Sequence, residues 1–171
     1  MVLLQSKQNT VVYVRNVIFG VEDSLVSTVG FLSGVAAGGV SKPTILLTGV
    51  VLLFVEAFSM AIGSLLSEYS AEEYLNQKEV SMRQSLIAGI VMFASYIFSG
   101  LIPLSPYFLY QKEQAFWISI FFSIAALCVL GALSARVSRV KPIKHSLRIA
   151  LLGGFAIAVG VSVGKLLNIP Q

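Results

Sequence analysis

Charge is what this sequence has least of. Only 12 % of its residues are Asp, Glu, Lys or Arg, against about a quarter in an ordinary soluble domain. Cysteine occurs once, at Cys128, and histidine once, at His145. A single thiol makes neither a disulfide framework nor a thiolate metal cluster, so Cys128 reads as a small packing residue in an apolar run. Metal-binding histidines come with partners at ligand spacing, and His145 has none, so it reads as an exposed loop residue. No basic patch interleaved with aromatics is present, which excludes nucleic-acid binding. No His-rich set, no nucleophile beside a base and no phosphate-binding loop falls in the apolar segments, which argues against an enzyme. Residues 1–10, MVLLQSKQNT, lack the basic start, long apolar stretch and cleavage site of a secretory signal. The first apolar segment is therefore expected to serve as its own insertion signal.

What remains is apolar. Hydrophobic residues make up 56 % of the 171 positions, and the mean hydropathy is +0.85. The uncharged runs exceed the length of a buried core helix and reach that of a membrane span. The expectation is an all-α integral membrane protein, a single transmembrane domain over 1–171. Its five spans fall at about 13–39, 43–67, 85–110, 115–135 and 149–167. Pro43 suits the first turn of the second span, where its missing N–H is not needed. Pro103 and Pro106 fall inside the third, where membrane helices tolerate proline if neighbours satisfy the freed groups. Phe116 and Trp117 open the fourth at aromatic-belt depth. Lys165 closes the fifth, where it can snorkel to the interface. The polar segment 68–84 is expected to continue the second helix into the cytoplasm.

Five spans put the termini on opposite sides, and cytoplasmic loops carry the excess of Lys and Arg. With the N-terminus inside, the cytoplasmic segments hold Lys7, Arg15, Lys78, Arg83, Arg136, Arg139, Lys141, Lys144 and Arg148. The outer segments hold Lys42, Lys112 and Lys165. That asymmetry predicts a cytoplasmic N-terminus and a C-terminus on the opposite side.

The acids inside the spans carry the functional signal. Glu22 and Asp23 lie within VVYVRNVIFGVEDSLVSTVGFLSGVAAGGV (11–40), and Glu56 lies within the second span. Each acid at mid-bilayer costs about 2.5–3.5 kcal/mol before compensation. Arg15 stands about two turns from Asp23, roughly 12 Å along a helix, too far to pair with it. Another helix, a water-filled cavity or a cation must meet that carboxylate. Ser27 shares the Asp23 face, with Gly30, Gly34 and Gly38 beyond it at the small-xxx-small spacing of closely packed membrane helices. These glycines read as a helix-packing or dimer seam. Glu22 points about 100° away from Asp23, toward either a partner subunit or the headgroups. Met60, one turn beyond Glu56, completes a half-site of oxygen and sulfur that favours softer divalent ions than oxygen alone would. Glu68, Glu72 and Glu79 recur at helical spacing past the second span. They read either as a solvated acidic face or as a cytoplasmic surface that collects cations by its local field.

These residues resemble the vacuolar iron transporter family. The stretch Arg15–Gly39, with Gly20, Asp23, Leu25, Ser27, Thr28 and Gly34, is similar to the family's first helix, which often reads GANDGLVST in prokaryotic members. Residues 56–63, EAFSMAIG, resemble its ALSMALG segment, and residues 103–107, PLSPY, its PLLPY element. The resemblance implies a five-helix homodimer that exports Fe²⁺ or Mn²⁺ from the cytosol in exchange for protons, with the ion path between subunits. Asp23 and Met60 fall on pathway residues. The sequence departs from the family at several points. Leu52 stands where iron-transporting members have a helix-two glutamate, and the acid of this chain, Glu56, is one turn later. Ser64 stands where many prokaryotic relatives have glutamate, and Ser24 follows Asp23 where glycine is common. The soluble metal-binding insert between helices two and three is absent.

Protons and a divalent cation would compete for Asp23 and Glu56, because ligands must be deprotonated to bind metal. The expected partners are therefore a divalent metal ion, protons, the lipid bilayer and a second copy of the chain, with no permanently bound cofactor. A prokaryotic plasma membrane is favoured over a vacuolar one. The alternative is a non-transporting membrane interaction protein assembled through its glycine-rich helices.

Overall fold

The structure, a computed structural model, describes residues 2–77, 80–137 and 141–167. These form five helices in an all-α bundle: α1 (Val2–Ala37), α2 (Lys42–Asn76), α3 (Arg83–Leu109), α4 (Lys112–Val137) and α5 (Pro142–Leu166). Each contains a stretch long and apolar enough to cross a membrane. Glu79, expected among the cation-collecting residues, lies outside the described residues, as do Lys78 and Arg139.

The distribution of side chains is that of a protein whose outer solvent is hydrocarbon. Phe98, Trp117, Phe121 and Phe155 are exposed, while Asn16, Ser24, Thr28, Ser99, Ser119 and Ser123 are buried. Water would drive the apolar set inward. Lipid leaves it outside and requires each polar group to find a partner within the protein.

Helix α1 runs through the middle of the bundle, and two of its faces explain why. One face packs against α3 in parallel. Asn16 donates to the Ala88 carbonyl (3.2 Å), and Ser24 donates to that of Tyr96 (2.7 Å). Gly20 meets Met92, and Thr28 meets Gly100, at the same offset along the two chains. The repeat of four keeps small and polar residues facing the neighbouring backbone. The second face packs against α5, also in parallel, with Gly30 on Ala156, Gly34 on Gly160 and Gly38 on Gly164. The glycine stripe is thus a helix-packing seam within one chain.

Helix α2 lies antiparallel to both α1 and α3. Its contacts include Leu32 against Gly49 and the tilted ring pair Phe58–Phe93, with centroids 4.9 Å apart. An ion pair between Arg15 and Glu68 joins α1 to the far end of α2. The core between these helices holds Leu32, Ile45, Leu53, Tyr96, Leu104 and Tyr107, all fully or nearly fully buried. Pro106 fits inside α3 because a serine takes up the carbonyl it frees. Pro106 cannot donate to the Ile102 carbonyl, and Ser105 Oγ does so instead at 3.0 Å. Ser119 of α4 donates to the Pro103 carbonyl at 2.6 Å.

One expectation fails here. His145 is not an exposed loop residue: it lies in the first turn of α5 and is half-buried. Helix α5 starts at Pro142, seven residues before the expected span. Proline at the first helical position is preorganised for that start, and the flanking Lys and Arg keep their charges at the interface by snorkelling.

The α1–α5 seam gives a direct test. A methyl added at Gly34 would stand 2.6 Å from the Gly160 carbonyl oxygen, whereas one at Gly63 meets nothing within 4 Å. Gly34→Ala is expected to destabilise the bundle by about 1–3 kcal/mol, the range for overpacking. Gly63→Ala should not destabilise it; thermal unfolding of both variants in detergent checks the pair.

Candidate functional site

The site is built where α1, α2 and α3 meet. Ser27 of α1 lies one turn beyond Asp23 and reaches both neighbouring helices. Its Oγ donates to Glu56 Oε2 of α2 at 2.9 Å and lies 2.7 Å from the Tyr96 hydroxyl of α3. The Tyr96 hydroxyl in turn donates to the same Glu56 Oε2. Serine, tyrosine and glutamate thus form a closed triangle of oxygens. The Tyr96 ring is fully buried, and its backbone carbonyl accepts from Ser24 Oγ at 2.7 Å. The residue after Asp23 therefore fastens α1 to α3, while Asp23 itself faces another way.

Asp23 opens onto a groove of about 720 Å³ between α1 and α5, lined by Ser27, Gly30, Phe31, Gly34, Ala156 and Gly160 among others. Its carboxylate lies within electrostatic reach of Glu56. The glycines expected to form a seam also form the groove floor, because residues without side chains leave space above the backbone. Met60, one turn along α2 from Glu56, is partly buried and packs against the main apolar core. Ser27 and Glu56 are brought together by three-dimensional packing, while Asp23 borders Ser27, and Met60 borders Glu56, by helical spacing.

Glu22 goes elsewhere. It lines a second groove with Arg15, Ile18, Phe19 and Val137, and feels the charges of His145 and Asp23. Glu68 is held by Arg15, its side chain only 14 % exposed. Glu72 lies one turn further along α2, half-buried, and its carbonyl accepts from Asn76. Among the described residues, no group of three or more His, Cys, Asp and Glu side chains is placed to hold a metal ion. One chain brings two carboxylates to the site.

Two members of this polar interior, Tyr96 and Asn16, were not singled out from the sequence. Asn16, 3 % exposed, joins three helices by donating to Ser64 Oγ of α2 (2.8 Å) and to the Ala88 carbonyl of α3. The available signal was simple: an amide or a phenol in the middle of a span must find a hydrogen-bond partner inside the protein.

Comparison with known proteins gives a consistent picture. The VIT family model matches residues 14–87 and 75–165. Vacuolar iron transporter homolog 2 of Arabidopsis thaliana is 26 % identical over 170 residues, covering 92 % of this chain and 85 % of that protein. An uncharacterized protein of Methanocaldococcus jannaschii is 24 % identical over 163 residues, covering 85 % of this chain and 84 % of its own. Vacuolar iron transporter 1 of Tulipa gesneriana is 32 % identical over 84 residues; that match covers 48 % of this chain and spans only 34 % of the tulip protein.

Asn16 offers the clearest stability test of the polar interior. Asn16→Ala removes the amide donor to Ser64 Oγ and the second donor to the Ala88 carbonyl, which keeps its helical bond. It is expected to cost about 1–3 kcal/mol, the penalty for unmet buried polar groups, read as a lowered midpoint in an SDS unfolding titration.

Proposed function

The chain belongs to the VIT family, and from that premise we propose that it exports a divalent transition-metal cation, Fe²⁺ or Mn²⁺, from the cytosol in exchange for protons. The observation that carries this reading is the bond from Ser27 to Glu56 across two membrane-spanning helices, with Asp23 one turn from Ser27 on the adjoining groove. Two carboxylates held within reach of each other in low dielectric repel strongly when both are charged. A divalent cation removes that repulsion, and protons remove it when the cation leaves. Competition between the two for the same oxygens is the thermodynamic basis of exchange.

The ligand set is two carboxylates and, one turn from Glu56, the Met60 thioether. Sulfur beside oxygen moves preference from Mg²⁺ and Ca²⁺ toward softer ions. Two carboxylates and a thioether fill only part of a cation's coordination shell, so we place the complete site at a face shared by two copies of the chain. The open groove at Asp23 supports that arrangement. The basic residues orient the N-terminus to the cytoplasm, so that Glu68 and Glu72 lie on the loading side. Arg15 already neutralises Glu68, which leaves Glu72 the stronger of the two as a cation collector. The prokaryotic plasma membrane is the favoured location. The glycine stripe packs on α5 of the same chain and also floors the open groove, so the non-transporting alternative, assembly through glycine-rich helices, stays the second reading.

Uptake of Mn²⁺ and Fe²⁺ into proteoliposomes tests the reading. Asp23→Asn is expected to abolish metal-driven proton movement while leaving the unfolding midpoint near that of the wild type. Glu22→Gln, on the other groove, should retain most of the uptake. Undiminished transport by Asp23→Asn would remove that residue, and with it the proposed mechanism.

A further inference from the structure

The triangle of Ser27, Glu56 and Tyr96 contains more oxygens than a metal-binding reading uses, and the numbers of lone pairs and protons constrain what it does. A carboxylate oxygen offers two good acceptor positions, and a hydroxyl supplies one proton. Ser27 and Tyr96 both donate to Glu56 Oε2, so that oxygen is saturated while Oε1 is left for other partners. Neither donor swings freely. The Tyr96 ring is buried in the core, its carbonyl is bonded to Ser24, and Ser27 sits on the helix that Ser24 fastens.

We propose that Tyr96 is a positioning residue for the ion site. With Ser27 it holds Glu56 Oε2, so that Glu56 meets the cation through Oε1 alone. The inference rests on the transport reading above and adds the way in which the helix-two acid binds.

One consequence concerns ion choice. Ca²⁺ is commonly bound by carboxylates through both oxygens, in large and flexible shells, whereas smaller ions accept tighter geometry. Occupying Oε2 with two hydroxyl donors denies Ca²⁺ that mode.

The test compares wild type, Tyr96→Phe and Glu56→Gln in proteoliposomes and by infrared difference spectroscopy on adding Mn²⁺. Phenylalanine keeps the buried ring, so the unfolding midpoint should stay close to that of the wild type. Tyr96→Phe is expected to raise the KM for Mn²⁺ by about tenfold, the scale of one lost hydrogen bond to a charged group, with a smaller change in maximal rate. The carboxylate band assigned to Glu56, by its loss in Glu56→Gln, should show the wide splitting of one-oxygen ligation in wild type. It should narrow in Tyr96→Phe as Oε2 joins the metal. An unchanged KM or an unchanged splitting in an actively transporting Tyr96→Phe overturns the inference and leaves the transport reading standing. A wild type that moves no metal overturns both.

Discussion

Inside a bilayer, a polar group that no water reaches is stabilised by another polar group of the same protein, and many of this chain's buried polar side chains are arranged that way, with the hydroxyls of Thr28, Ser33, Ser85 and Tyr107 left unpartnered among the described residues. Asn16 reaches Ser64 and the Ala88 carbonyl, and Ser24 reaches the Tyr96 carbonyl. Ser105 covers the carbonyl that Pro106 leaves bare. Each of these bonds is modest in water, about 1 kcal/mol net, but leaving one unmade in hydrocarbon costs several times that. The bonds therefore act as constraints on geometry more than as sources of stability. They fix the register of α1 against α2 and α3, and with it the place where Ser27, Glu56 and Tyr96 converge.

The first helix carries three kinds of contact on three faces. Positions 16, 20, 24 and 28 are small or polar and lie on α3, while positions 30, 34 and 38 are glycine and lie on or beside α5. Between them, Asp23, Ser27 and Phe31 face the groove. The rigidity of the first two faces fixes the shape of the third. Glycine brings α5 against the α1 backbone from Gly30 onward, so that stretch of the groove floor is main chain, unable to swing aside.

Much of this was legible in the sequence, and the parts that were not share a cause. Five helices followed from the length of the uncharged runs, because hydropathy over about twenty residues leaves few alternatives. Asp23 and Glu56 stood out because the energy of a buried acid is large whatever surrounds it. The partner of each face was harder to read. Small-xxx-small spacing states how closely something approaches Gly30 and Gly34, and says nothing of whether that something is α5 or a second copy. Arg15 and Glu68 are ordinary charges at the ends of their spans until α1 and α2 are laid antiparallel, when they pair. Tyr96 was passed over because the third span has no charge, and an uncharged span reads as scaffold. His145 was assigned to a loop because the basic residues around it lower local hydropathy, which hides a helix that Pro142 starts early.

The placement of neighbouring acids shows how one chain separates roles that composition cannot. Glu22 and Asp23 are adjacent, and a helix turns them about 100° apart. That rotation sends Asp23 to the groove shared with Ser27 and Glu22 to the one shared with Arg15. Glu22 shares its groove with Arg15, which Glu68 already holds, and lies within electrostatic reach of His145 and of Asp23. Asp23 has Glu56, which is another acid. In the transport reading proposed above, a divalent cation settling between two carboxylates relieves their repulsion. On the proposed reading Asp23 and Glu56, rather than Glu22, are the acids that meet the cation, and Ser27 and Tyr96 hold one oxygen of Glu56 out of its way.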